Sequence, residues 1–379
     1  MQHVIIIPDS FKGTMRATEV CRIMRDCVSM RFPLCKTVCI PIADGGEGTV
    51  DAFLYAAANT DSPIKGERKT AHVQGPYGKT LLSVWGRIDD TAVIETASCA
   101  GLPLVADNPD PARTSTFGVG QLISEAMNAD CRKIIVGLGG SCTNDGACGM
   151  ASALGVRFLD AQGRAFVPVG NTLENICRID TSGLDIRLND IDLECLCDVD
   201  NPLSGTKGAA YVFAPQKGAD ADMVKHLDEG LRHLAEIVER DLAFSGAEEA
   251  GAGAAGGCGY GMKAFLGARL RPGIEVLLDF ARFDRLLQNA DCVFTGEGRL
   301  DSQSLHGKAL SGIARHAKKA GVPVIALAGE VSANTDELKR MGISAAYAVN
   351  PGRSGMQEIK AHCREDLARC MQRVLENLS

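Results

Sequence analysis

Carboxylates set directly beside glycines recur along this chain, and that pairing suits chemistry on phosphate groups. Residues Ala43-Asp44-Gly45-Gly46-Glu47-Gly48-Thr49 place two acids among three glycines. The glycines let backbone approach a ligand closely. The carboxylates can hold Mg²⁺, which prefers oxygen ligands and substrate phosphates, or accept a hydroxyl proton. Thr295-Gly296-Glu297-Gly298-Arg299-Leu300-Asp301 repeats the theme, with His306-Gly307-Lys308 close behind. Gly139-Gly140-Ser141-Cys142-Thr143-Asn144-Asp145-Gly146 offers amides, hydroxyls and a carboxamide, the parts of a phosphate nest. A tight turn with an Asx cap would use the same residues. Pro8-Asp9-Ser10-Phe11-Lys12-Gly13-Thr14 supplies a carboxylate, two hydroxyls and a cation where a helix starts, a place that favours anions. An ordinary N-cap beside a solvated lysine reads the same way. Asp198 and Asp200 stand before Asn201-Pro202, as a general base or as turn chemistry ahead of the proline.

Each of these segments follows a short apolar run. His3 to Ile7 and Thr37 to Pro41 read as strands, each followed by a polar loop and a helix, ending near Met30 and Ala58. The last hundred residues repeat the rhythm. The pattern predicts strands at Ala290 to Phe294, Val322 to Leu327 and Ala345 to Val349, a loop from Thr295 to His306, and helices at Asn334 to Met341 and Met356 to Leu378. Strand–loop–helix repeats of this kind build a parallel sheet. Between about Ser62 and Arg87 the pattern is extended, with turns at Gly75-Pro76 and Gly78-Lys79, which reads as antiparallel strands. Further strands are expected at Lys133 to Leu138 and Asp192 to Val199, and a long amphipathic helix at Asp220 to Leu242. The simplest organisation is two α/β domains, one assembled from both chain ends and the other inserted between them. Ligands of such sheets bind outside the carboxyl ends of the strands, which is where the acid–glycine loops fall.

Composition narrows the partners. The 379 residues are too many for one ordinary core, and 45% apolar with 23% charged is the balance of a globular protein. A formal charge of -7 argues against nucleic acid or an anionic membrane as partner. No stretch approaches the roughly 18 apolar residues of a membrane helix, and the N-terminus lacks the features of a signal peptide, so a cytoplasmic enzyme is expected. The 15 cysteines are odd in number and show no C-x-x-C, which reads as buried thiols in a reducing compartment. The seven histidines show no zinc pairing. Gly251-Ala252-Gly253-Ala254-Ala255-Gly256 satisfies G-x-G-x-x-G, but the segment before it is small, polar and acidic rather than a strand. The G-x-x-x-x-G-K-[ST] phosphate loop does not occur.

Taken together, the loops resemble those of the bacterial-type (class I) glycerate kinases. The carrying segments are PDSFKGT (residues 8–14), PIADGGEGT (41–49), GLGGSCTNDGACGMASALG (137–155), CDVDNPLSGTKGA (197–209), FAPQKGA (213–219), GAGAAGGCGYG (251–261) and TGEGRLDSQSLHGK (295–308). They cover essentially the whole chain, in order. The resemblance implies a flavodoxin-like domain with a parallel sheet from residues 1–62 and 283–379, a mixed-sheet α/β domain at 63–282, and an active site in the cleft between them. It also implies ATP as donor, Mg²⁺ as cofactor and D-glycerate as acceptor, with 2-phosphoglycerate as product and 3-phosphoglycerate as the alternative. Cys142, Cys148 and Cys258 stand where the family carries small residues, and thiols there would make activity thiol-sensitive.

On that basis Lys12 and Lys308 are assigned to phosphate oxygens and the amides of Gly139, Gly140 and Ser141 to developing charge. Some of Asp44, Glu47 and Glu297 would hold Mg²⁺. Asp198 is the first choice to accept the glycerate hydroxyl proton and Asp9 the second. Arg299 or backbone amides would take the substrate carboxylate. Ser10, Asp44, Gly45, Gly46, Thr143, Asn144, Asp145, Asn201, Gly296 and Asp301 complete the expected binding set. No nucleic acid or membrane partner is expected, and the chain is expected to be a monomer or a homodimer. Two rivals remain at this level. An NAD-dependent hydroxy-acid dehydrogenase would bind nicotinamide, and a non-catalytic organic-acid-binding protein would close on its ligand without turnover.

Overall fold

A computed structural model describes residues 1–43, 45–60, 63–301, 308–350, 352–353 and 355–378, with Lys308 described in its backbone alone. The chain opens with β1 (His3–Ile6) and β2 (Lys36–Cys39). Its middle carries β3 (Gly66–Gln74), β4 (Thr80–Ile88), β5 (Thr91–Glu95), β6 (Lys133–Gly137), β7 (Arg157–Leu159), β8 (Ala165–Phe166), β9 (Arg178–Asp180), β10 (Asp192–Leu196) and β11 (Arg269–Arg271). It ends with β12 (Cys292–Leu300), β13 (Val324–Val331) and β14 (Ala345–Ala348).

Contacts divide the chain into two units, Met1–Ala43 with Asp51–Lys65 and Ile274–Ser379, and Asp44–Val50 with Gly66–Gly273. In the first, five strands run in the order β14-β13-β12-β1-β2, every pair parallel. Numbered within their own sheet they read 2-1-3-4-5, the flavodoxin-like order, whose direction of winding reverses between β1 and β12. Val4, Ile5 and Ile6 are fully buried, so both faces of the sheet are covered and the strand has no reason to alternate. Val20, Met24 and Val28 of the helix Ala17–Arg31 share one core with Leu367, Met371 and Val374 of Met356–Asn377.

The second unit holds a six-stranded mixed sheet, β11-β10-β6-β5-β4-β3. The first four strands are parallel neighbours, and β5, β4 and β3 form an antiparallel meander. A small antiparallel sheet, β8-β7-β9, sits apart from it. The helix Ala221–Leu242 starts where the Asp220 carboxylate accepts the amides of Asp222 and Met223. It buries the expected stripe of Val224, Leu227, Leu231, Leu234, Ile237 and Val238.

Two expectations need correction. The segment after Phe294 is not a loop, because β12 continues to Leu300 and pairs with β13 as far as Val331. A Cβ on Gly296 would lie 2.4 Å from the Leu327 carbonyl oxygen, so this glycine allows the two strand backbones to approach. The strand expected to reach Val199 ends at Leu196, opposite Gly137, where β6 itself turns away. Asp198 therefore belongs to the following loop.

All fifteen thiols are free; Cys177 is exposed, Cys35 half-buried and the others buried. Among the described residues, no helix is long and apolar enough to cross a membrane.

Candidate active site

In the second unit β5, β6 and β10 lie side by side and parallel, so their carboxyl ends deliver Glu95, Gly137 and Leu196 to one edge. The acid–glycine loop at 45–50 is held at that edge. Gly45 accepts the Gly139 amide at 3.0 Å, and one oxygen of Glu95 accepts the amides of Gly48 (3.1 Å) and Val50 (2.7 Å). A Cβ on Gly139 would lie 2.7 Å from Gly46, so the two glycine loops touch because neither carries a side chain there. Glu47 and Gly48 are exposed.

The loop 139–146 is strapped from several sides. Cys142 donates its amide to Ala100, and Gly140 accepts that of Leu102, both at 2.9 Å. The Thr114 hydroxyl donates to the Cys142 carbonyl. Asp145 is fully buried, and one of its oxygens accepts from the Thr116 amide (2.8 Å), the Thr116 hydroxyl (2.9 Å) and the Gly149 amide (3.3 Å). Burial still holds its pKa above the ordinary carboxylate value, against those hydrogen bonds. Among the described residues both amide atoms of the fully buried Asn144 have no partner, while the Thr143 side chain lies against the Cys258 thiol. Native proteins rarely leave buried polar atoms unpartnered, which makes this loop a candidate ligand site.

Lys217 is the site residue that sequence reasoning missed. Its side chain is 2% exposed, and its ammonium donates to Ser141 Oγ at 2.9 Å and to the Thr143 carbonyl at 2.7 Å. Burial lowers its pKa to about 8, so it is charged at neutral pH. A signal was available in Phe213-Ala214-Pro215-Gln216-Lys217-Gly218, where a lone cation stands among mostly small and apolar residues.

Asp198 is half-buried and accepts the Gly273 amide at 3.0 Å. Asn201 donates its side-chain amide to the Lys207 carbonyl, and its own carbonyl accepts the amide of Gly253. The G-x-G-x-x-G segment packs beneath the 139–146 loop. Gly256 has φ +70°, and a Cβ there would lie 2.1 Å from the Thr143 carbonyl oxygen. Its glycines fit protein backbone, not a dinucleotide. Thiol sensitivity at Cys142, Cys148 and Cys258 is not supported. All three are buried, and burial pushes the Cys142 thiol up to about 12 and holds the other two far from ionising.

In the first unit the winding reversal brings together the loops after β1 and along β12. Asp9 donates its amide to Gly296 at 2.8 Å, and its carboxylate accepts the Ser10 amide at 2.5 Å. Lys12 is exposed and Glu297 half-buried. The Arg299 guanidinium is 61% exposed and reaches Asp301 at 3.4 Å and Glu330 at 3.5 Å. Asp44 and the Lys308 side chain lie outside the described residues. Among those described, no group of three or more His, Cys, Asp or Glu side chains is placed to hold a metal. Mg²⁺ carried on phosphates needs just one or two carboxylates, which Glu47 or Glu297 can offer.

Comparison with known proteins identifies the family. Residues 4–379 match the model of the glycerate kinase family. The chain is 42% identical over 369 residues to a glycerate kinase of Bacillus subtilis (strain 168), covering 97% of this chain and 95% of that one. It is 39% identical over 379 residues to a glycerate 2-kinase of Escherichia coli (strain K12), covering 99% and 98%. A crystal structure assigned to glycerate kinase 2 from Salmonella typhimurium LT2 superposes with a TM-score of 0.88 at 39% identity, over 100% of this chain and 98% of that one. The chain belongs to the glycerate kinase family and is a phosphotransferase with an alcohol group as acceptor.

Proposed function

We propose that the protein transfers the γ-phosphoryl group of ATP to the 2-hydroxyl of D-glycerate, giving 2-phosphoglycerate and ADP in the cytoplasm. The observation that carries this reading is the strapped 139–146 loop, with its buried ammonium and unpartnered polar atoms, at the carboxyl ends of parallel strands. Phosphoryl transfer asks a protein mainly for positioning and charge neutralisation, which such a loop supplies. The 2-position is favoured by the glycerate 2-kinase of E. coli, which matches nearly end to end. The free, mostly buried thiols suit a reducing compartment.

In this reading Asp198, held by the Gly273 amide, accepts the proton of the attacking hydroxyl, with Asp9 as the second candidate. The Gly139 amide is engaged with Gly45, so among the described residues the Gly140 and Ser141 amides are left to face an anion. Lys12 and Lys308 neutralise phosphate oxygens, and Arg299 or free amides take the substrate carboxylate. Asp44, Glu47 and Glu297 are the candidate holders of Mg²⁺, which when bound offsets phosphate charge.

The test is ADP release coupled to a colour reaction, with D-glycerate, ATP and Mg²⁺, and the product read by ³¹P NMR. Glycerate-dependent ADP release with one 2-phosphoglycerate resonance is expected. Absence of that dependence removes the reading, and a 3-phosphoglycerate resonance corrects its regiochemistry.

A further inference from the structure

Lys217 is, among the described residues, a buried cation without a counter-ion. Among the described residues no carboxylate lies within ion-pair distance of its ammonium, and two neutral oxygens, Ser141 Oγ and the Thr143 carbonyl, receive its protons. A methionine would fill that space at far lower cost, since an unpaired buried charge is unfavourable unless something offsets it. The geometry of Ser141 shows what that could be. Its oxygen already accepts from the ammonium, so its own hydrogen must point elsewhere. The adjacent amides of Gly140 and Ser141 donate to no protein group among the described residues, and Gly140 is exposed. Two consecutive free amides and an obligate hydroxyl donor make an anion nest backed by a cation. The Asn144 carboxamide, wholly buried and unpartnered among the described residues, points independently to recognition of a polar ligand in this loop.

We propose that Lys217 is a positioning residue for anion recognition: from behind the loop it turns Ser141 into a committed donor, and its charge complements an anionic oxygen held by Gly140 and Ser141. Resting on the kinase reading, that oxygen belongs to a phosphate or to the glycerate carboxylate, two sources with one chemistry.

The groups acting on the ammonium are Cys258, Cys142 and Asp145. The thiols are held too high to titrate near neutrality and the carboxylate is committed to Thr116 and Gly149, so a change between pH 7 and 9.5 in this loop belongs to Lys217. The folded state releases the lysine proton near pH 8 and the unfolded chain near 10.5. Between those values the unfolded chain binds more protons, so stability relative to K217M rises with pH. A grip that depends on the charge weakens over the same interval, and the opposite signs separate the two roles.

The experiment follows the ¹⁵N–¹H resonances of Gly140 and Ser141 in the wild-type protein at pH 7 while inorganic phosphate, and separately D-glycerate, is added, and measures both dissociation constants by calorimetry at pH 7 and 9.5, with phosphate counted as its dianion. Expected are shifts at both amides with at least one ligand and a dissociation constant about tenfold weaker at pH 9.5. K217M should abolish that pH dependence and raise one KM tenfold or more with kcat less affected, while K217R restores part of it. Unshifted amides with both ligands, or a pH dependence that survives in folded K217M, overturns the proposal. If K217M does not fold, the wild-type titration still decides. The titration needs no turnover, so phosphate binding here without glycerate-dependent ADP release would sink the kinase reading and leave this one standing.

Discussion

The two clusters of chemistry-bearing residues are built differently. In the first unit Asp9 and Lys12 follow β1 while Glu297 and Arg299 lie on β12, where the arginine is mostly solvated and shares its charge with Asp301 and Glu330. In the second unit Ser141 to Asp145 and Lys217 are buried and Glu95 half-buried, tied by hydrogen bonds to backbone, with the Asn144 carboxamide unpartnered among the described residues. Exposed charges act through flexible side chains in high dielectric, where each contributes little. A buried network is already oriented and meets developing charge without reorganising. The contrast assigns adjustable electrostatics to the first cluster and fixed geometry to the second.

The strongest way to break this contrast is to exchange the two candidate bases. Asp198→Asn should lower kcat by about 10²–10⁴-fold with little change in the KM for ATP, the range of a lost general base. Asp9→Asn should act less on kcat and more on KM. If the two variants trade places in steady-state assays, the chemistry belongs to the first unit instead.

Glycines test rigidity next. A Cβ on Gly256 would press on the Thr143 carbonyl at 2.1 Å, at a residue with φ +70°, whereas one on Gly298 finds its nearest neighbour at 3.5 Å. Gly256→Ala should destabilise the protein by about 2–3 kcal/mol in urea unfolding and lower activity. Gly298→Ala should change stability by less than about 0.5 kcal/mol. Similar losses in both would show the second loop to be no more tightly fitted than the first.

The smallest effect is expected at Arg299. Its pairs with Asp301 and Glu330 are solvent-screened, so Arg299→Ala should cost at most about 0.5 kcal/mol of stability. Any larger consequence should appear as a raised KM for glycerate, weakening further in salt. An unchanged KM would remove Arg299 from substrate binding.

Much of the fold was legible because its signals are local. β-branched runs ending in polar loops marked β1, β2 and β13, and the stripe from Val224 to Val238 marked the long helix. The end of β12 was not legible. Gly296 and Gly298 carry the letters of a loop, and pairing with β13 alone makes that segment a strand. For the site, the 139–146 loop was readable as a run of donors, but the engagement of the Gly139 amide by Gly45, nearly a hundred residues earlier in the chain, was not. Nor was Lys217, whose partners are 74 and 76 residues away.

Residue order was sufficient for the alternation of strands and helices, the family and the choice of candidate loops, because each rests on spacing, turn propensity or a contiguous motif. Which donors in those loops are already engaged, which thiols are inert and which lysine is buried depended on the folded chain. Those properties arise from desolvation and from contacts between segments distant in sequence, and neither exists until the strands have assembled.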